Sequence, residues 1–115
     1  HKGIYNDLKE NLDSIKSQWD DLGIEFYMTE RNDYIILSKI VIPEENRNNG
    51  IGTKAMNLLC EYADTNNKII ACTPDSSYGG KLTKLKSFYK KFGFIENKGK
   101  NRDFYINESY IRYPK

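Results

Sequence analysis

Apolar residues recur every three or four positions in three stretches of the chain, the spacing that places them on one face of an α-helix. The first stretch covers roughly residues 4–22, the second follows the Asn- and Gly-rich segment 46–52, and the third ends at Gly93. Glycine favours the position just after a helix, where the backbone takes a left-handed conformation. Three amphipathic helices are therefore expected, each with an apolar face that another layer of structure must cover.

Shorter stretches rich in β-branched and aromatic residues predict strands between and after these helices. They are residues 24–29, 33–42, 68–73, 103–106 and 109–113. The turn-forming residues 30–33 join the first two into a hairpin, and Pro74 ends the third. The order of elements predicts an α/β domain, more strictly α+β, with a mixed sheet and no internal repeat.

Size and composition limit what this domain can be. The chain of 115 residues is 38% hydrophobic and 30% charged, which suits one domain over residues 1–115 and is too little for two. Its apolar runs are shorter than the ~18 residues that cross a bilayer, and its N-terminus lacks the apolar stretch of a secretory signal. A cytoplasmic protein that does not enter a membrane is expected.

Neither metal chemistry nor histidine-dependent catalysis is expected. His1 is the only histidine, and Cys60 and Cys72 do not form a CxxC pair. Because both cysteines have apolar neighbours, we interpret them as small core residues that form no disulfide.

Charge is distributed unevenly along the chain, although the net charge is only +2. Residues 1–45 contain five basic and ten acidic residues, whereas residues 81–115 contain ten basic and three acidic ones. This polarity favours a polyanionic ligand near the C-terminal half. Solvated helix faces explain the same charges equally well.

The segment that joins the second predicted strand to the second predicted helix carries the clearest chemistry. In residues 40–53 a buried strand passes through a short loop into a helix with Gly50 and Gly52 at its start. Unpaired backbone N–H groups converge there, where the helix dipole is positive, and such groups bind phosphate. Arg47 can add a charge-assisted contact. A purely structural role for the glycines stays open, because the Walker and complete GxGxxG patterns are absent.

Two motifs give the chain a family resemblance over roughly residues 24–113. Residues 47–52, Arg-Asn-Asn-Gly-Ile-Gly, resemble the R/Q-x-x-G-x-G/A motif of the GNAT superfamily of acyl-CoA-dependent N-acyltransferases. Residues 88–94, in which Tyr89 is separated by three residues from a Gly-Phe pair, resemble the second motif of that superfamily. The two motifs occur in the family's order, with a helix and a strand between them.

The resemblance implies a fold and a set of binding residues. The GNAT fold has a mixed, mostly antiparallel central sheet flanked by helices, and its middle strands splay apart and leave main-chain groups for the ligand. The backbone of Ile40 and Ile42 would pair with the pantetheine arm and acyl group of acetyl-CoA, while Val41 would point into the core. The full set implied to bind acetyl-CoA is Ile40, Val41, Ile42, Arg47, Asn48, Asn49, Gly50, Ile51, Gly52, Thr53 and Lys91.

The activity that the resemblance implies is transfer of an acetyl group from acetyl-CoA to a primary amine of a small molecule or a protein. Such an enzyme must stabilise negative charge on the thioester carbonyl and protonate the departing thiolate. A backbone N–H near Ile40 would serve the first need. Tyr89, the catalytic residue that the resemblance implies, would serve the second with its phenol. The alternative for Tyr89 is an ordinary aromatic residue on a buried helix face.

The general base and the acceptor site stay open. Ser38 or a chain of waters could take the proton from the amine. Separately, many GNAT proteins have an Asn at the position of Leu82, so one contact with acetyl-CoA is missing here or supplied differently. The Gly-rich loop of residues 75–80, in which Tyr78 is free to face a ligand, could shape the acceptor site or simply be a helix start with a surface Tyr. Four carboxylates are candidate bases, although each is also explained as a surface residue: Glu25, Glu30, Glu44 and Glu45.

Three functions of different classes follow. An acetyltransferase leads, and a GNAT-fold module that binds CoA or a partner protein without turnover is the alternative. A nucleic-acid surface in the basic C-terminal half, with its interleaved Tyr and Phe, is the least favoured. Both a monomer and a homodimer are compatible with a sheet edge that Tyr105, Tyr110 and Tyr113 cover.

Overall fold

The structure is a computed structural model that describes residues 11–42, 50–75 and 82–115. These residues form three α-helices and five β-strands, which confirms the predicted mixed α/β class. Residues 4–10 of the first predicted helix lie outside the described ranges. The helices are α1 (Leu12–Asp21), α2 (Ile51–Thr65) and α3 (Leu82–Lys91). The strands are β1 (Glu25–Glu30), β2 (Tyr34–Val41), β3 (Ile69–Cys72), β4 (Ile95–Glu96) and β5 (Tyr110–Arg112).

The strands form one sheet in the order β1-β2-β3-β5-β4. β2 and β3 are parallel, and the other neighbouring pairs are antiparallel. Parallel neighbours need a long crossover connection, which α2 supplies, whereas β1 and β2 can be joined by a short turn. The N–H of Arg31 donates to the carbonyl of Tyr34 at 2.7 Å and closes that turn. The predicted hairpin is therefore confirmed.

β2 extends beyond the end of its parallel partner. Its pairing with β3 begins at Tyr34 and ends where Leu37 faces Cys72, yet β2 continues to Val41. On its other edge the register with β1 shifts, so that Ser38 is an extra residue on β2. A β-bulge of this kind bends the strand and increases its twist. β2 and β3 therefore part after Leu37 and Cys72.

The three helices contribute to the main hydrophobic cluster on one face of the sheet. Trp19 lies in this cluster with no exposed surface, and its indole N–H donates to the carbonyl of Ala55 at 2.8 Å. Its ring meets that of Phe26 edge to face, with the centroids 5.4 Å apart. One side chain thus joins α1 to both α2 and β1. A smaller cluster is centred on Ala71, Ile106 and Ile111.

The turn after α3 fixes how this helix meets the sheet. Gly93 has a φ of +94°, as expected for a glycine that ends a helix. The N–H of Phe94 donates back to the carbonyl of Tyr89 at 3.3 Å, and the two rings pack with their centroids 5.3 Å apart. Since Phe94 is buried, the turn also holds the ring of Tyr89 in the core.

The predicted strand over residues 103–106 is wrong. β5 pairs with β3 on one side and with β4 on the other, and residues 103–106 lie in the loop between β4 and β5. The side chain of buried Asn97 accepts a hydrogen bond from the N–H of Asp103 at 2.6 Å and donates to the carbonyls of Ile106 and Glu108 at 3.0 and 2.9 Å. These bonds occupy main-chain groups that a strand would offer to a neighbour. The final strand is confirmed as β5.

Both cysteines are buried and free, as the sequence predicts. Within the ranges that the structure describes, no helix has the length and apolar character needed to cross a membrane.

A buried ion pair ties the end of β5 to α2. Arg112 is only 4% exposed, and its guanidinium donates to the two carboxylate oxygens of Asp64 at 2.8 and 3.0 Å. Its Nε–H donates to the carbonyl of Phe92 at 2.6 Å, just after α3. The hydrogen bond from Arg112 is the main cause of a lowered pKa at Asp64.

Asp64→Asn is expected to lower the free energy of unfolding by roughly 3 kcal/mol, because it leaves the Arg112 charge buried without a counter-charge. Urea denaturation at neutral pH measures this loss. The pKa of Asp64 is lower in the folded than in the unfolded protein. Its contribution to the free energy of unfolding is therefore fully present above the unfolded pKa of about 4 and is lost as the pH falls through the folded pKa. The stability of the variant should lack this acid-dependent component. An equal loss in Asp20→Asn, on the exposed face of α1, would contradict the account.

Candidate active site

The ends of four elements meet on one side of the sheet. β2 and β3 are parallel, so their carboxyl ends lie at the same edge, and the helices that follow them, α2 and α3, begin there. In open sheets of this kind, ligands bind in the crevice outside the carboxyl ends of parallel strands. The topology therefore directs attention to the place where β2 and β3 part.

A cleft opens at this place. Its volume of about 270 Å³ includes open solvent at its mouth. The second half of β2, the segment after β3 and one side of α3 form its walls. The described residues that line it are Leu37, Ser38, Lys39, Ile40, Thr73, Asp75, Leu85 and Tyr89.

The bulge at Ser38 determines which side chains of β2 face the core. Leu37 is buried, and after the extra residue Ile40 and Ile42 pack against the same hydrophobic cluster. Val41 lies between them, and because successive side chains of a strand point to opposite faces, it faces away from that cluster. The expectation that Val41 points into the core is therefore wrong. A bulge shifts the alternation by one residue, which the sequence does not reveal.

Tyr89 lies on the α3 side of the cleft. It is 3% exposed, and burial raises the pKa of its phenol, with a smaller contribution from Cys72. Within the described ranges no hydrogen bond to its hydroxyl is found, and no fully buried side-chain oxygen there lacks a partner, so this oxygen is not fully enclosed in the core. The side chain thus combines a ring fixed in the core with a protonated hydroxyl that has no described protein partner.

The cysteines are not suited to nucleophilic catalysis. Burial raises the pKa of the Cys72 thiol, and burial raises that of Cys60 to about 11. Both thiols are therefore protonated at neutral pH, whereas the thiolate is the reactive form.

The start of α2 is open to an anion. Gly50 is its N-cap, has a φ of +77°, and makes no side-chain hydrogen bond to the N–H groups of the first turn. A Cβ at Gly50 would meet no described atom within 4 Å, and Thr53, in that same turn, is exposed. Backbone N–H groups at a helix start attract negative charge. Arg47, Asn48 and Asn49, the other members of the predicted loop, lie outside the described residues.

Gly52 has a packing role in addition to any contact with a ligand. It is buried, and a Cβ there would stand 2.5 Å from the δ-methyl of Ile42 and 3.5 Å from the ring of Phe88. The absence of a side chain therefore brings the start of α2 close to β2 and α3. Ile51, the first residue of α2, also packs against the main cluster.

Two of the candidate bases form ion pairs with lysines. Glu30 lies at the far end of β1 from the cleft, where it accepts a hydrogen bond from the hydroxyl of Tyr62 and pairs with Lys68 at 2.9 Å. Burial, the largest single influence, raises the pKa of Glu30, but the hydrogen bonds from Tyr62 and Lys68 outweigh it and the net shift is downward. Glu25 is exposed and forms an ion pair with Lys39.

The remaining candidates are placed in part. Glu44, Glu45 and Tyr78 lie outside the described residues. Lys91 is exposed at the end of α3, six residues beyond cleft-lining Leu85, and Leu82 is 39% exposed at its start. Of the predicted residues, the cleft brings together Ser38, Ile40 and Tyr89.

Thr73 and Asp75, on either side of Pro74, line the same cleft. Asp75 belongs to the loop that the sequence offers for the acceptor site, whereas sequence analysis missed Thr73, which its position after a strand parallel to β2 could have identified. The hydroxyl of Thr73 accepts a hydrogen bond from the N–H of Ser109 at 3.2 Å. This contact places the base of the β4–β5 loop beside the cleft.

No protein-family model, no curated protein and no solved structure matches this chain. Across the described ranges no group of three or more His, Cys, Asp or Glu side chains is arranged to hold a metal ion. The function has therefore to be inferred from the chain's own residues and their arrangement.

Tyr89→Phe is expected to change the free energy of unfolding by less than about 0.5 kcal/mol, because the hydroxyl that it removes has no described protein partner. Tyr62→Phe is the matched comparison, and it should cost about 1–2 kcal/mol because it removes the hydrogen bond to Glu30. Urea denaturation of both variants measures the difference. A loss in Tyr89→Phe as large as that in Tyr62→Phe would show that the Tyr89 hydroxyl is part of the folded framework.

Proposed function

We propose that this protein is an N-acyltransferase that moves an acetyl group from acetyl-CoA to a primary amine, with the cleft between β2 and β3 as its active site. One observation carries the proposal. The only parallel pair of strands in the described sheet parts at Leu37 and Cys72, and the gap opens into a cleft lined by Tyr89, whose hydroxyl has no partner among the described residues.

The sheet supports the resemblance to the GNAT superfamily that the two motifs suggest. Three of the four strand pairings are antiparallel, and the parallel pair lies in the middle of the sheet. The first motif leads into α2 and the second spans the end of α3, and these are the helices that follow the two parallel strands. Mixed topology, parting strands and motif positions are thus mutually consistent.

The chain has groups that fit a CoA thioester. The N–H groups at the start of α2 would hold the pyrophosphate, because no side chain of the described residues caps them and no described atom fills the space beside Gly50. The backbone of β2 from Ser38 to Ile40, which has no partner on β3, would lie along the pantetheine arm. A thioester brings an already activated acyl group, so the protein needs no nucleophile of its own.

Two steps of the reaction then fall to this chain. A backbone N–H of the bulged segment of β2 would stabilise the negative charge that develops on the carbonyl oxygen. Tyr89 would give its proton to the departing sulfur, and burial keeps its phenol protonated until then. The sulfur leaves in the same cleft, where loss of solvent raises the basicity of a thiolate as well.

The amine would enter from the side of β3. The amine attacks in its unprotonated form: its nitrogen forms the amide bond as the C–S bond breaks, and the proton that it loses replaces the one that Tyr89 gives to the sulfur. Asp75 is the described carboxylate that lines the cleft, and its position there suits it to orient the incoming amine. Glu30 does not serve this role, because Tyr62 and Lys68 hold it at the other end of β1.

Tyr89→Phe should reduce turnover about a hundredfold and leave acetyl-CoA affinity unchanged, because the hydroxyl acts when the sulfur departs and not when the donor binds. Release of the CoA thiol in the presence of spermidine, lysine or a lysine-containing peptide measures turnover, and titration calorimetry measures affinity. Tyr27→Phe, on the exposed face of β1, is the control. Equal turnover by parent and variant would remove Tyr89 from the mechanism, and tight binding without thiol release in either would favour the module that binds CoA without turnover.

Thr53→Glu should weaken acetyl-CoA binding at least tenfold without loss of stability. The new carboxylate stands among the N–H groups proposed to hold the pyrophosphate, yet an acidic side chain in the first turn favours a helix. Thr65→Glu places the same charge at the exposed far end of α2 and should leave binding unchanged. Equal affinities of the two variants would place the pyrophosphate elsewhere.

A further inference from the structure

Two neighbouring aromatic rings project from the loop between β4 and β5. Phe104 is 83% exposed and Tyr105 is 92% exposed. The guanidinium of Arg102 lies over the ring of Phe104, 5.6 Å from its centroid. We refer to Arg102, Phe104 and Tyr105 as the aromatic platform. Sequence analysis assigned these rings to a strand, where a neighbour would cover at least one of them, and the structure leaves both in solvent.

The platform is held in place by the loop that carries it. Asn97 is buried and makes hydrogen bonds of 2.6–3.0 Å with the backbone of Asp103, Ile106 and Glu108. The carboxylate of Asp103 accepts from the N–H of Tyr105 at 3.0 Å, and Ile106, directly after the rings, is buried in the smaller cluster. Because the rings are already presented, binding through them would require little further ordering of the loop.

The charges around the platform favour an anionic ligand. Lys98 is paired with Glu96 at 2.9 Å, and Asp103 is engaged with the loop backbone. Lys100 is exposed, and neither it nor Arg102 forms an ion pair with any residue of the described ranges. Residues 82–115 as a whole contain nine basic and three acidic side chains. Arg102 donates a hydrogen bond to the carbonyl of Asn97 at 3.4 Å, and Glu108 is the other acidic residue of the loop. Lys100 and Arg102 are thus two cations without a carboxylate partner in the described ranges, beside two exposed rings.

The size of the platform distinguishes between partners. Two aromatic side chains offer about 300–500 Å² of contact surface, well below the roughly 800 Å² that each side of a stable protein interface buries. The other large apolar side chains exposed in the described ranges, Tyr27, Leu82 and Tyr113, belong to other elements. Stacking of nucleobases needs only one ring face per base, and Arg planes stack on bases as well.

We infer that the aromatic platform binds single-stranded nucleic acid, with bases stacked on Phe104 and Tyr105 and phosphates beside Arg102 and Lys100. A duplex fits less well, because its bases are already stacked on each other and their faces are closed to the rings. This inference does not depend on the acyltransferase proposal, since no residue of the platform lines the cleft.

Fluorescence anisotropy with a labelled oligouridylate of about 12 nucleotides tests the inference on the whole chain. Phe104→Ala and Tyr105→Ala should each weaken binding about tenfold, and Tyr27→Ala, an exposed Tyr on the opposite edge of the sheet, should not. Raising the salt from about 50 to 200 mM should weaken binding by the parent about tenfold, and Lys100→Gln should reduce that dependence. Circular dichroism confirms that each variant is folded.

Three results would overturn the inference. The first is absence of binding by the parent at low salt. The second is binding that survives loss of both rings or that is equally tight for a duplex, which would indicate attraction by charge alone. The third is a parent dimer in sedimentation that Phe104→Ala and Tyr105→Ala convert to monomers, because a second copy of the chain would then cover the platform.

Discussion

The early end of the pairing between β2 and β3 is the constraint on which the candidate site depends. Parallel strands need a crossover, so α2 and α3 both begin at the edge where these strands end. Because β3 pairs no further than Cys72 and Ser38 bulges β2, the two strands part beside the core ring of Tyr89. Just beyond, the start of α2 packs closely on β2 and α3, with the position of a Cβ on Gly52 beside Ile42 and Phe88.

Residues at the opposite end of the sheet keep this arrangement in place. Arg112 joins β5 to Asp64 on α2 and to the carbonyl of Phe92 at the end of α3. The next residues form the turn at Gly93, where Phe94 packs against the ring of Tyr89. A buried ion pair thus contributes to the position of a side chain in the cleft without touching the cleft itself. Loss of the pair should consequently affect stability before it affects chemistry.

Periodic patterns in the sequence were sufficient for the helices and for the strands of the parallel pair, because burial on one face imposes the spacing. The strand predicted over residues 103–106 was wrong because the side chain of Asn97 forms hydrogen bonds with the backbone of this segment and holds it as a loop. The predicted orientation of the Val41 side chain was wrong because a bulge at Ser38 shifts, by one residue, the alternation of side chains between the two faces of the sheet. Thr73 was missed because its place in the cleft depends on where β3 ends relative to β2, a tertiary feature without a local pattern.

Backbone amide shifts of the ¹⁵N-labelled protein during titration with acetyl-CoA test the central claim most directly. The account predicts saturable shifts concentrated at Ser38 to Ile40 on β2 and at Ile51 to Thr53 at the start of α2. It predicts little change at Glu30 and Lys68, at the other end of the sheet. Absence of saturable shifts, or shifts concentrated at Glu30 and Lys68, would contradict the claim that the parting of β2 and β3 forms the acyl-donor site.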